Sequence, residues 1–146
     1  MRIRHVAAAR HVVDYNFNNT YQYVINREDL QLNWVRDAIT ELGGAVPDDP
    51  AEPPIEPRGK AAEIQTALVR EDRDAVRAFV DRWRDKVEQI SNSRDKIMLR
   101  VILGEMLETT RFFDQMLAGR EDLLGRRADG AGTPGAVMPT RWVGGQ

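Results

Sequence analysis

Apolar residues recur along this chain at the three- and four-residue spacing of amphipathic helices. From Thr20 to Leu42 they fall at Tyr21, Val24, Ile25, Leu32, Val35, Ala38, Ile39 and Leu42, which predicts one long helix with a single apolar stripe. Gly43-Gly44 is its stop. A second stripe, Val76, Phe79, Val80, Trp83, Val87 and Ile90, follows a helix start at Lys60 to Val69, and Glu71-Asp72-Arg73-Asp74 between them reads as a separate turn. Ser91-Asn92-Ser93 supplies a turn or cap. The last stripe, from Asp95 to Leu117, places Met98, Val101, Ile102, Met106, Phe112, Phe113 and Met116 on one side, and Gly119 ends it. Residues 4 to 15 have modest helical character. Tyr15-Asn16-Phe17-Asn18-Asn19-Thr20 is expected to break or kink the chain, because Asn and Thr favour turns and caps.

No useful strand alternation occurs, so the class is all-α, and three long helices with a shorter first one predict an antiparallel four-helix bundle. The bundle spans 1–127, with a Pro-rich loop at 45–58. The stretch AVPDDPAEPPIEPRG around that loop carries five prolines, and its stiff backbone, poor in N–H groups, is expected to cross the bundle surface. The tail 128–146 is too rich in Gly, Ala and Pro to form a core element. It nevertheless ends in Pro139-Thr140-Arg141-Trp142-Val143. Arg141 and Trp142 are of the residue types that anchor interfaces, and they are candidates for docking on this subunit, a dimer mate or another protein. Covering their own bundle is the plainer use for them.

Composition narrows the functional classes. The formal charge of −2 offers neither a basic patch for nucleic acid nor a polybasic membrane anchor. With no cysteine there are no disulfides, thiolate nucleophiles, iron–sulfur clusters or Cys-based zinc sites, and the cytoplasm is the default compartment. Arg10 and His11 interrupt the N-terminal apolar run before a signal-peptide core is reached, and no run approaches the roughly 20 residues of a spanning helix. The chain has no Gly-x-Ser-x-Gly turn and no Gly-rich phosphate loop after a strand. Paired-carboxylate glycosidase chemistry needs an open cleft, which a bundle of 146 residues is not expected to supply.

The candidate chemistry lies in two acids placed inside apolar stripes, Glu28 and Glu105. Each has a polar partner three residues on, Gln31 and Glu108, so each pair shares a helix face. Carboxylates projecting into a bundle are the way di-iron proteins build their centres. VINREDLQLNWVRDAITELGG followed by a Pro-rich loop resembles the second helix of the ferritin-like superfamily, where Glu-x-x-His precedes Leu-x-x-Leu. LRVILGEMLETTRFFDQMLAG resembles that superfamily's closing helix. The resemblance covers 20–44 and 94–119. It implies a four-helix bundle, metal-ligand roles for Glu28 and Glu105, and functions in iron oxidation or storage, peroxide reduction or di-iron oxygen chemistry.

Gln31 and Glu108 stand where that family has histidine, and Gln is a poor iron ligand. A carboxylate-only site still suits hard cations, so iron or manganese is the alternative to no cofactor. Asp14 and Asp72 are the nearest acids from the other helices. His5 and His11 are six apart, which is wrong for pairing on one helix face, and both are expected to be surface or packing residues. Without metal, Glu28 and Glu105 need a buried arginine or hydroxyl partner. The chain's 18 arginines against three lysines favour bidentate pairing, with Arg27, Arg100 and Arg111 at hand. Tyr21, Tyr23, Trp34 and Trp83 read as core aromatics, and REDRDAVRAFVDRWRDK reads as a solvated helix face. Two functions follow: a ferritin-like structural or interaction subunit, expected to be a homodimer or a subunit of a larger protein assembly, or a carboxylate metal-binding protein with an oxidase, peroxidase or storage role.

Overall fold

The computed structural model describes residues 1–125, which form four helices and, within that range, no strand. These are α1 (Arg2–Ala9), α2 (Tyr15–Glu41), α3 (Ala61–Glu88) and α4 (Ser93–Leu117). The last three are of similar length, roughly 40 Å each at 1.5 Å per residue, whereas α1 reaches only about 12 Å. None of the four is long and apolar enough to cross a membrane. The residues proposed as a docking tail, Arg141 and Trp142 among them, lie outside the described range.

Helix α1 ends earlier than the sequence pattern suggests, and the break falls at residues 10–14 rather than at Tyr15–Thr20. Asp14 explains this. Its side chain accepts from the backbone N–H of Phe17 at 2.9 Å, capping α2, so the polar run after it forms the first turns of that helix. Within those turns Asn18 faces inward, and its Nδ2 donates to the carbonyls of Ala9 (3.0 Å) and Val12 (3.3 Å). Asn18 thus satisfies carbonyls at the end of α1 instead of breaking α2.

Helix α3 runs through Glu71–Asp74 without the expected turn. Asp72 is buried on its inner face, between Val69 and Val76 in the same stripe, so the acid continues the helical pattern. Asn92 caps α4, its Oδ1 accepting from the N–H groups of Arg94 (2.9 Å) and Asp95 (3.2 Å). Gly43 and Gly119, at φ +74° and +76°, take the left-handed conformation that ends α2 and α4.

The most extensive helix contacts are α3 on α4 and α1 on α2, with smaller contacts between α2 and α4 and between α1 and α3. The backbones of α2 and α3 do not pack directly. The core joins Val6, Ala9, Tyr21, Ile25, Val69, Val76, Val80, Phe113 and Met116. Leu123, just beyond α4, closes over it. Residues 42–60, which connect α2 to α3, form no helix or strand, and Ile55 from this segment packs against the core.

Candidate functional site

Two polar groupings and one apolar cavity occupy the interior. The first grouping was not legible as a unit in the sequence. His5, expected to be a surface or packing residue, is completely buried, and its Nδ1 lies 2.8 Å from Glu28 Oε2. The imidazole sits edge-on to Tyr21 and Phe113, with ring centroids 6.1 and 5.6 Å away. Its Nε2 is buried without a hydrogen-bond partner. Beside it, the Tyr21 hydroxyl donates to Asp72 Oδ2 at 2.6 Å. Arg4 Nε approaches Asp72 Oδ1 to 2.5 Å, an ion contact by distance but too bent to count as a hydrogen bond for either atom. The outer end of Arg4 reaches Glu71 at 3.2 Å.

Burial raises the Asp72 carboxyl above its ordinary range, only partly offset by positive charge on His5, the Tyr21 hydrogen bond and Arg4. Burial also pushes the Tyr21 phenol well up, and the neighbouring Asp72 charge adds to the effect. The Tyr21–Asp72 hydrogen bond joins α2 to α3 where their backbones do not meet.

The second grouping contains the four residues singled out from sequence. Glu28, Gln31, Glu105 and Glu108 all line one small cavity of about 100 Å³, together with Tyr23, Arg27 and Phe112. The i, i+3 reading therefore places each pair on a shared face. Their partners are protein groups. Arg27 grips both oxygens of Glu105, with Nε to Oε2 at 3.1 Å and its terminal nitrogen on Oε1. Gln31 Nε2 donates to Glu105 Oε2 at 2.6 Å. Because that amide nitrogen faces a carboxylate, its orientation is fixed, and Oε1 is left buried and unpartnered. Glu105 is half-buried in the α2–α4 seam and Glu108 is exposed.

Several expectations need correcting. The partner of Glu28 is a histidine rather than an arginine or hydroxyl. Asp14 is an exposed helix cap and not an inward acid. Arg100 pairs with Glu88 on the surface. Tyr23 is exposed and Trp83 is 38% exposed, so neither is a core aromatic, whereas Tyr21 is. Asp72 does point inward, on the α1 side of the bundle.

A metal centre fits these residues poorly. A cation at Glu105 would have to displace the Arg27 guanidinium, and one at Asp72 would meet Arg4. Among the described residues no three His, Asp or Glu side chains converge as a binding set. Of the buried side-chain atoms without a hydrogen-bond partner, His5 Nε2 belongs to the partner of Glu28 and Gln31 Oε1 to a partner of Glu105. Sequence could have signalled His5 only through its position immediately before the buried run Val6–Ala9, because its partner is 23 residues away.

The apolar cavity, of about 570 Å³, lies between the C-terminal halves of α2 and α3 and the N-terminal half of α4. Leu32 and Val35, Phe79 and Trp83, and Leu99 and Ile102 form its walls, with Glu28 and Gln31 at the end nearest α1. Lys86 stands at its rim with its ammonium 4.8 Å above the Trp83 ring. The start of α1, Met1 to Ile3, and Asp49 and Pro50 of the connecting segment also border it, and past the start of α1 the three long helices have no fourth helix to fill the space between them.

Comparison with models of protein families, with curated proteins and with solved structures finds no match for this chain.

Proposed function

We propose that this chain is a ferritin-like, antiparallel helical bundle in which a polar network stands in place of the di-iron centre, and that it acts as a structural or interaction subunit. The observation that carries the proposal is the pairing of the inward acids: Glu105 is held by Arg27 and Gln31, Glu28 by His5, and Asp72 by Tyr21 and Arg4. Carboxylates neutralised this way escape their desolvation cost without a metal. Gln31 and Glu108, at the positions where the family has histidine, agree with this. In this reading residues 45–58 form the bundle's Pro-rich crossover loop.

The interaction role draws support from the surface. The outer faces of α2 and α4 expose Tyr23 and Leu30, and Ile97 and Val101, large apolar groups of the kind interfaces bury. A homodimer formed through these helices is the simplest assembly, and Arg141 and Trp142 would add an anchor to it.

The experiment is elemental analysis of protein expressed with iron, manganese and zinc available, alongside light scattering to read its mass. The expected result is a dimer mass and no stoichiometric metal. Stoichiometric metal that disappears in the Glu28→Ala, Glu105→Ala double variant would replace this proposal with the carboxylate metal-binding reading, in which iron or manganese displaces Arg27 from Glu105.

A further inference from the structure

We propose that the 570 Å³ cavity between α2, α3 and α4 is a binding site for a single-chain carboxylate amphiphile, with its hydrocarbon between the helices and its carboxylate on Lys86. The volume lies within the range of small-molecule sites, roughly 300–1,000 Å³, and the mostly apolar lining with few polar groups is their usual composition. Along α3 the lining runs from Phe79 to Val87, about 12 Å at the helical rise, and Ile90 just beyond the helix continues it, so the site is elongated.

The lining selects among occupants. Leu32, Val35, Phe79, Leu99 and Ile102 offer no hydrogen-bonding groups, so an extended peptide laid there would bury its N–H and C=O groups without partners. A hydrocarbon has none to satisfy. The charges at the rim then choose the head group. Arg2 is paired with Asp29 at 2.6 Å and Asp49 with Arg36 at 2.8 Å. Lys86 has no acidic partner among the described residues and is held over the exposed Trp83 ring. An anion at the mouth would complete that ammonium, while a cationic head group would meet it with like charge.

The test is calorimetric titration of the full-length chain with decanoate and with 1-decanol, below the concentration at which either self-associates. One decanoate is expected to bind per chain, and in a Trp34→Phe, Trp142→Phe background the remaining Trp83 fluorescence should shift with the same midpoint. Lys86→Gln should weaken decanoate about fivefold, the size of one partly exposed ion pair, and leave 1-decanol unchanged. Leu99→Trp, which fills the cavity from a half-buried position, should abolish binding of both while helical circular dichroism is retained. Absence of saturable binding, equal loss of acid and alcohol in Lys86→Gln, or undiminished binding in a folded Leu99→Trp variant would each overturn the proposal. Concentration-dependent self-association that shifts Trp83 fluorescence and is indifferent to decanoate would do so as well, by seating a second copy in the cavity.

Discussion

At the end of the bundle that carries α1, Tyr21, Val69, Val76 and Phe113 are at most 1% exposed. At the other end, Leu32, Val35, Phe79 and Leu99 belong to the same apolar stripes but are only half-buried, and Leu42 is 73% exposed. The two ends have similar hydrophobic patterns and differ in what is available to cover them. Helix α1 provides a fourth wall along about 12 Å of helices roughly 40 Å long. Where it is present, the interior closes tightly enough to bury a histidine, a tyrosine hydroxyl and an aspartate. Where it is absent, a cavity remains. Amphipathic patterning tells which face of a helix seeks cover, and it is silent on whether the fold has an element left to provide it.

Substitutions should separate the two ends by their energetic cost. Phe113→Ala, at the closed end, is expected to lose about 3–5 kcal/mol of unfolding free energy, while Leu99→Ala at the open end loses about 1 kcal/mol, since its site is already partly solvated. Denaturant titration of both variants reads the contrast directly, and equal losses would remove the distinction.

The buried polar contact at the closed end comes next. Asp72→Ala should cost about 2–3 kcal/mol, because the Tyr21 hydroxyl and Arg4 lose their partner in a site that water does not reach. Its pH dependence has a defined sign. The folded state holds the protons of both Asp72 and Tyr21 more tightly than the unfolded chain does, so each group's contribution is complete below its unfolded pKa and declines as pH rises through the folded value. For Asp72 the decline begins near pH 4, and for Tyr21 above about pH 10. Stability measured against pH should therefore fall less steeply above pH 10 in Tyr21→Phe than in the parent chain. Parallel alkaline curves would mean that the phenol is not held as the geometry implies.

The seam between α2 and α4 should give a smaller effect. Arg27→Ala is expected to cost about 1 kcal/mol or less, as the Arg27–Glu105 pair is partly solvated and salt-screened. High salt should shrink that difference, and persistence at high salt would place the pair in a drier environment than the helix packing provides. The smallest change is expected for Val35→Ala, about 0.5 kcal/mol, because its side chain borders open space.

Much of the candidate site could be read before the fold. Glu28 and Glu105 stand out because a carboxylate within an apolar stripe violates helical patterning, and i, i+3 geometry fixes the direction of Gln31 and Glu108 relative to them. All four do line one cavity. The abundance of arginine points to Arg27, Arg100 and Arg111 as possible partners for the two acids, and the fold puts Arg27 on Glu105 and Arg100 on Glu88. His5 could not be assigned that way, since pairing across 23 residues depends on how α1 lies on α2. Asp14 and Asp72 show the same divide. Both were candidate inward acids, and only the cap geometry at the start of α2 and the burial of α3 separate a surface N-cap from a buried ion partner.

The helical class, the stripes of α2, α3 and α4, and the stops at Gly43 and Gly119 can be read from the residues alone, because they depend on side-chain periodicity and on backbone conformations set within a few residues. The joining of α3 through Asp72, the early end of α1, the His5–Glu28 pair and the open cavity beside Trp83 emerge only once the helices pack together. Each depends on groups distant in the chain competing to satisfy a buried polar atom or cover an apolar face, and local propensity carries no record of that competition.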